Sequence, residues 1–266
     1  MRIYAIPALL IGILTFIGFR IAYIRSSNVA VRVGLILAGL VLAIPAVLFT
    51  SNYMLLIPYA DWFFNAHTLP GVEASSGLVG ALLGIMFASS KLRPSKLNFP
   101  VLVFCTILAS GLLIAPFAKQ LIYGLDYYIL TNKWNNGICL QTSSYTCVPA
   151  CVSTLIRMQG GNIAEPELAR AAGTTKHGTE TWYLARALKK RGYKAHFHNV
   201  RSLRNAPVPS VVSVNLGDIR HVVVLLAKDE NGLTIGEPLR GRHSYKWSVF
   251  QKSYHPDGMC ITITAR

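Results

Sequence analysis

Charged residues are scarce in this sequence, and the acidic ones are the scarcest. Only 14% of the 266 residues are charged, and Lys and Arg outnumber Asp and Glu by 26 to 11. The mean hydropathy is positive, at +0.42. Soluble domains carry about 25% charged residues, so this composition excludes an ordinary soluble enzyme.

Several functional motifs are also lacking. No Gly-rich loop ends in Lys followed by Ser or Thr, so we predict no ATP-binding module in this chain. Cys147 and Cys151 have no second paired-ligand motif to complete a metal site, so we expect neither a metal nor a cofactor. Basic residues are scattered, apart from Lys189-Lys190-Arg191 at a helix end, and no nucleic-acid motif accompanies them. We expect no nucleic-acid partner and attribute the basic charge to anionic lipid headgroups or an acidic peptide.

Polarity changes abruptly near Lys119. The first 118 residues hold seven Lys or Arg and two Asp or Glu, whereas the remaining 148 hold nineteen and nine. Four apolar stretches in the first part each approach the ~20 residues that a membrane-crossing helix needs: Ile3–Phe19, Gly34–Pro58, Gly71–Ser89 and Phe99–Ala118. The first could be a signal peptide, but it ends at Arg20 without a small-residue cleavage site, which favours a retained helix. We predict a four-helix transmembrane domain over 1–118, a connecting helix or linker over 119–136, and a second domain over 137–266.

Loop charges predict the orientation of this multi-pass membrane protein. The basic residues cluster around two loops: Arg20, Arg25 and Arg32 at the first, and Lys91, Arg93 and Lys96 at the third. Both loops should be cytoplasmic, which places the C-terminal domain on the extracytoplasmic side, although Arg2 and Lys119 oppose this. Aromatic residues typical of a membrane interface follow the second stretch: Tyr53, Tyr59, Trp62, Phe63 and Phe64. An oxidising compartment would allow Cys139 and Cys260 to pair, a contact that sequence does not establish.

In the second part, helical patterns come first and strand patterns follow. A helical connection over Lys119–Trp134 leads to predicted helices at Cys147–Gln159, Glu165–Ala172 and Thr179–Arg191. Strand patterns occupy Lys194–Asn199, Ser210–Leu216, His221–Ala227, Leu233–Ile235 and Met259–Thr264. Helices followed by a mainly antiparallel sheet are typical of an α+β domain.

Cys147 lies where the polar turn 141–146 meets the first of these helices. The unpaired N–H groups of a first helical turn carry partial positive charge, which favours a thiolate over a thiol. Pro149 fits this position, because proline is tolerated in the first turn. Cys147 is therefore a candidate nucleophile, with a small buried hydrophobe as the alternative. Cys151, one turn later on the same face, is more simply core packing.

A base and an orienting acid follow in the strand region. His221 opens the most apolar strand and would take a proton from Cys147 and later protonate the leaving group. Glu237 ends the next strand and would hold the imidazole tautomer. Gln141, six residues before Cys147, is a candidate donor to the oxyanion together with the Cys147 N–H.

Other titratable residues have weaker claims. Asp218 and Asp229 are rival orienting carboxylates, but Asp218 lies too close in the loop that precedes the histidine, and Asp229 belongs to an exposed turn. His177 sits in a loop before a helix and either lines a substrate groove or is simply solvated. His196 and His198 share one strand face, which indicates either a ligand pair or a polar sheet face.

In this order, the residues resemble a known family: the papain-like peptidases that cut bacteriocin and peptide-pheromone precursors after a double-glycine leader. The signature of that family is a Gln, a Cys six residues later that opens a helix, a Gly-Thr/Ser turn, a His-Phe/Val-Val-Val strand and an Asp-Pro…Gly turn. The matching positions are Gln141, Cys147, Gly178-Thr179, 221–224 and 237–241, and the resemblance covers residues 139–265.

The resemblance implies Cys147 as nucleophile, His221 as general base and acid, Glu237 in the place of the usual Asp, and Gln141 at the oxyanion hole. The signature's Asp-Cys-Gly is Thr146-Cys147-Val148 here, and the domain follows membrane helices instead of preceding an exporter. We predict a membrane-anchored cysteine endopeptidase with a papain-like α+β fold, which hydrolyses leader or secreted peptides through a thioester acyl-enzyme. Two alternatives stay open: an amidase or acyltransferase acting on a non-protein amide, and a catalytically silent domain that binds leader peptides.

Overall fold

The computed structural model describes residues 2–53, 68–92 and 98–265. The predicted aromatic residues Tyr59, Trp62, Phe63 and Phe64, and the basic residues Arg93 and Lys96, lie outside these ranges. The described residues separate into two compact units. The first comprises 2–53, 71–92 and 98–122, and the second comprises 123–265 together with 68–70.

The first unit is helical. It contains α1 (Arg2–Arg25), α2 (Val29–Tyr53), a 3-10 helix (Val72–Val79) that continues into α3 (Gly80–Leu92), and α4 (Asn98–Ile122). In the described ranges, four helical segments are long and apolar enough to cross a membrane: Ala5–Arg25, Val29–Leu48, Val72–Lys91 and Phe99–Ile122. The four long apolar helices predicted from the sequence are therefore present. Arg20 and Arg25 lie within α1 and Arg32 within α2, so the first loop itself is only residues 26–28.

Small residues let α3 approach α1 closely. A Cβ atom added to Gly80 would lie 2.2 Å from the Gly12 carbonyl oxygen, and one added to Gly84 would lie 2.3 Å from the Phe16 carbonyl oxygen. Close backbone contact at small residues is a common basis of helix association in membranes, where burial of apolar side chains drives little.

The second unit contains a two-stranded hairpin, a six-stranded sheet and four α-helices among the described residues. The hairpin is β1 (Lys133–Asn135) with β2 (Ile138–Leu140). The helices are α5 (Cys147–Met158), α6 (Glu165–Ala171), α7 (Thr181–Lys189) and α8 (Trp247–Tyr254). The remaining strands are β3 (Tyr193–Asn199), β4 (Ser210–Leu216), β5 (Ile219–Lys228), β6 (Gly232–Glu237), β7 (Gly241–Lys246) and β8 (Pro256–Ala265).

The sheet is antiparallel throughout, in the order β3-β8-β4-β5-β6-β7. Strand alternation sends successive side chains of β5 to opposite faces. Val222 and Val224 pack under α5, α6 and α7. Val223 and Leu225 pack under α8. Both faces are therefore covered, which explains the unbroken apolar run of this strand, and the predicted α+β fold class is confirmed.

The connection from the first unit differs from the expected helix. Helix α4 ends at Ile122, and the residues that follow belong to the second unit instead of continuing helically to Trp134. The Tyr123 carbonyl accepts a hydrogen bond from the Lys176 N–H at 2.9 Å. The Tyr127 hydroxyl donates to the Thr174 carbonyl at 2.7 Å. Apolar side chains of this connection are buried against α6, so it is part of the folded unit.

The two flanking cysteines are separate free thiols. The Cys139 N–H donates to Thr154 Oγ1 of α5 at 2.9 Å, whereas Cys260 packs in the cluster under α8. They lie on different sides of the sheet, so the pairing considered from sequence does not form in this structure.

Candidate active site

The nucleophile candidate occupies the first position of α5. Cys147 is half-buried, and Pro149 lies in the same first turn, where a missing N–H costs no helical hydrogen bond. Val148, which stands where the family signature has Gly, is buried in the core between α5 and the sheet. That position therefore accommodates a branched side chain. Cys151 is fully buried with its Sγ 3.4 Å from the Val222 carbonyl oxygen, a packing role consistent with its position.

The base and acid candidates come from adjacent strands. The β5–β6 register places Val224 opposite Gly236, which puts Glu237 diagonally across from His221 and within reach of a long side chain. His221 Nε2 lies 2.7 Å from Glu237 Oε1. The two side chains are only 6% and 2% exposed, so this ion pair is shielded from water.

The thiol of Cys147 completes the contact. It is a hydrogen-bond partner of the His221 ring. Because Nε2 is engaged by Glu237, Nδ1 is the ring nitrogen that remains for the sulfur. Burial lowers the pKa of His221, but the hydrogen bonds and charges of Cys147 and Glu237 outweigh it and raise that pKa to about 9. Burial likewise raises the pKa of Glu237, and the hydrogen bond and charge of His221 reverse the effect, so the net pKa is lowered. The contacts and charges around His221 therefore favour its imidazolium form.

Further contacts hold the Glu237 carboxylate in place. The Leu239 N–H donates to Oε1 at 3.3 Å, and the Tyr254 hydroxyl is a second hydrogen-bond partner. Tyr254 is buried in α8, and its hydroxyl lies 3.3 Å from that of Tyr245. The Glu side chain thus reaches the imidazole where the signature has Asp. Sequence reasoning missed Tyr254, because α8 is short and carried no recognised helix signal.

Gln141 is tied to the same region through its backbone. Its N–H donates to the Pro238 carbonyl at 2.8 Å, directly after Glu237. Its side-chain Nε2 donates one hydrogen to the Ser143 carbonyl at 2.9 Å. The structure therefore places Gln141 beside the turn of the acid, in the loop that leads to Cys147, while the oxyanion role stays a prediction.

The β1–β2 hairpin buttresses the acid-bearing turn. A Cβ added to Gly236 would lie 2.7 Å from Ile138 Cδ1, so a larger residue would require the Ile138 side chain to shift. Asn135 Nδ2 also donates to the Arg240 carbonyl at 3.4 Å. Because Gln141 directly follows this hairpin, the positions of Gln141 and Glu237 depend on one another.

The loop before Cys147 has a buried carboxylate partner that sequence reasoning also missed. Glu165 Oε1 accepts from the Thr142 N–H at 3.0 Å, and Oε2 accepts from the Thr142 hydroxyl at 2.9 Å. In the sequence, Glu165 is simply an acid in the first turn of a helix, where the macrodipole favours it. No sequence signal distinguished it.

The weaker candidates lie elsewhere. Asp218 is exposed, and Asp229 accepts hydrogen bonds from the N–H groups of its own turn. His177 is exposed and its ring packs edge-on against Tyr123. His196 and His198 lie close to threonine hydroxyls of β8, at 3.4 and 2.9 Å. Within the described residues, no cluster of three or more His, Cys, Asp or Glu could hold a metal.

Comparison with known proteins gives two kinds of match. The profile of the peptidase C39 family matches residues 135–266. An uncharacterised protein of Methanothermobacter thermautotrophicus is 31% identical over 133 residues, which is 48% of this chain and 89% of that protein. A second, from Methanothermobacter marburgensis, is 32% identical over 118 residues, or 44% of this chain and 82% of that protein.

The similar solved structures include two peptidases. A double-glycine-motif protease from an AMS/PCAT transporter, in complex with the leader peptide, is 17% identical with a TM-score of 0.43, covering 48% of this chain and 91% of that one. The peptidase domain of Streptococcus ComA is 21% identical with a TM-score of 0.43, covering 52% and 99%. The profile match confirms the resemblance inferred from the motifs: residues 135–266 of this chain belong to the peptidase C39 family.

Proposed function

We propose that this domain is an active cysteine endopeptidase with Cys147, His221 and Glu237 as its catalytic triad. The observation that carries the proposal is the series of contacts from the Cys147 thiol to the His221 imidazole to the Glu237 carboxylate, with 2.7 Å between His221 Nε2 and Glu237 Oε1. A nucleophile and a base within hydrogen-bond reach, with the base oriented by a third group, are the geometric signature of an activated nucleophile.

The geometry supports acyl transfer through a thioester. The Cys147 thiolate attacks the peptide carbonyl carbon, and the oxyanion that forms accepts hydrogen bonds from the Cys147 N–H and the Gln141 amide. His221 then transfers its proton to the departing amine nitrogen as the C–N bond breaks. Water, deprotonated by His221, hydrolyses the thioester and releases the carboxylic acid product. Glu237 keeps Nδ1 of His221 directed at the sulfur throughout.

A thiol-directed activity probe tests this proposal. Labelling of the full-length protein by an electrophilic peptide probe should disappear in Cys147→Ala. It should persist in the matched variant Cys151→Ala, since Cys151 is one turn away and buried. An unlabelled wild-type protein would contradict the proposal and would favour a silent domain that binds leader peptides.

We propose peptides with a double glycine before the scissile bond as substrates. Family membership supports a peptide substrate, and the motif resemblance narrows it to leader-type sequences. The test compares cleavage of a peptide carrying Gly-Gly ahead of the cut with one carrying Ala-Leu there. Probe labelling without cleavage of either peptide would favour the amidase or acyltransferase alternative.

We also propose that the helices of the first unit anchor the peptidase in a membrane, with the catalytic domain on the extracytoplasmic side. Their length and hydropathy support the anchor. The basic residues around the first and third loops support the orientation. In sealed, right-side-out cells or spheroplasts, added protease should digest the C-terminal domain. Digestion that requires lysis would reverse the proposed orientation, and release of the protein by carbonate extraction would contradict the anchor.

A further inference from the structure

The loop 141–146 carries the oxyanion candidate at one end and the nucleophile at the other. Its conformation therefore decides whether the Gln141 amide and the Cys147 N–H point at one substrate oxygen. The loop is short and partly held by its own groups, since the Thr146 hydroxyl lies 3.0 Å from the Ser143 carbonyl oxygen. Two bonds attach the start of the loop to the rest of the domain: the Gln141 N–H donates to the Pro238 carbonyl at 2.8 Å, and the Thr142 hydroxyl accepts from the Thr131 N–H at 3.2 Å.

Glu165 attaches the same loop through a buried side chain. This first residue of α6 is fully buried, and its two carboxylate oxygens accept from the Thr142 N–H and the Thr142 hydroxyl at 3.0 and 2.9 Å. The Thr146 hydroxyl also lies near this carboxylate, and it shares its single hydrogen with the Ser143 carbonyl oxygen. A carboxylate is the side-chain group that can accept several such bonds at once.

Burying the charged form of this carboxylate costs free energy. Burial raises the pKa of Glu165, and the hydrogen bonds from Thr142 and Thr146 offset that effect only in part. The neighbouring titratable group is the buried thiol of Cys139, which provides no positive charge. A buried acid held only by loop donors implies that the loop position is important. Thr146 stands where the family signature has Asp, and the carboxylate that contacts this loop belongs instead to Glu165.

We infer that Glu165 is a positioning residue of the active site, which holds the 141–146 loop so that the oxyanion donors and the nucleophile converge on the same carbonyl group. This inference rests on the proposed peptidase function. Glu165 acts through the loop and does not contact the substrate.

The test compares three variants of the full chain in detergent: Glu165→Ala, Glu165→Gln and the control Glu167→Ala. Glu167 lies on the same helix, but it is exposed and pairs with Arg191 at 2.8 Å. We expect Glu165→Ala to lower kcat for a Gly-Gly peptide by about 10²-fold, the usual cost of losing an oxyanion donor. KM and the rate of Cys147 alkylation by iodoacetamide should change less than about threefold, because alkylation needs no oxyanion hole.

The conservative variant should restore most of the activity. In Glu165→Gln the amide oxygen accepts from the Thr142 N–H, and its NH₂ group donates to the Thr142 hydroxyl oxygen. Activity in Glu165→Gln no better than in Glu165→Ala would overturn the inference. So would an unchanged kcat in Glu165→Ala, or a loss of alkylation in parallel with kcat.

Hydrogen exchange separates this inference from the proposed function. Backbone amides of residues 141–146 should exchange faster in Glu165→Ala than in wild type, while those of the sheet keep their protection. If the wild-type protein neither cleaves peptides nor reacts with the probe, the proposed function fails. Unchanged exchange of the loop in Glu165→Ala would then still refute the positioning role.

Discussion

Replacing Glu237 by Gln removes one buried negative charge and leaves an oxygen with the same reach opposite His221 Nε2. The pKa of His221 is about 9, against an ordinary value of 6.5. At ~1.4 kcal/mol for each pH unit, its partners stabilise the protonated ring by on the order of 3 kcal/mol beyond the cost of burial. An adjacent opposite charge contributes about 1–3 units of such an effect. We therefore expect Glu237→Gln to lower the pKa of His221 by at least about one unit.

A lower pKa of His221 in Glu237→Gln has two consequences, one for stability and one for activity. Because the folded-state pKa of His221 is raised, its contribution to stability is fully present below pH 6.5 and is lost as the pH rises through about 9. In Glu237→Gln that loss should be complete at a lower pH. The imidazolium that protonates the leaving amine should disappear over the same interval, so the basic limb of kcat should move to lower pH.

Histidine NMR of the full chain in detergent measures this directly. The protein has seven His, and the His221 resonance is assigned by its absence from His221→Gln. Titration of the Cε1 signal gives the pKa in wild type, in Glu237→Gln and in the control Glu230→Gln, which alters an exposed acid. A wild-type pKa near 6.5, or a value that stays near 9 in Glu237→Gln, would refute the reasoning.

Three further predictions concern the oxyanion donor, the core and the helix packing. Gln141→Ala should lower kcat by about 10²-fold with Cys147 alkylation preserved; equal loss in kinetics and alkylation assays would contradict an oxyanion role. Leu155 is fully buried, so Leu155→Ala should reduce the free energy of unfolding of the peptidase domain by about 2–5 kcal/mol, measured by urea denaturation. In Gly80→Val the added Cβ would lie 2.2 Å from the Gly12 carbonyl oxygen, whereas a Cβ added to Gly111 has nothing within 4 Å. Thermal stability in detergent should therefore fall in Gly80→Val and stay unchanged in Gly111→Val, and equal effects would refute the packing argument.

Local signals accounted for much of the fold. The polar turn followed by Pro149 predicted a helix start at Cys147, and the helix begins at that residue. The apolar run after His221 predicted a strand, which the structure extends to Ile219–Lys228. Strand β7 was missed, because Gly241–Lys246 forms the edge of the sheet and its exposed residues show no apolar alternation. Helix α8 was missed because eight residues carry too little periodicity to recognise.

The sequence by itself determined the kinds of element, the position of a thiol at a helix start and the order of the groups that the chemistry needs. These features depend on hydropathy, turn residues and helix-end preferences, which act over a few residues. Only the tertiary structure decided that His221 meets Glu237, that Tyr254 supports the acid and that Glu165 holds the loop before Cys147. Those contacts depend on strand register and helix packing between segments far apart in the chain, and such long-range pairings leave no local pattern in the sequence.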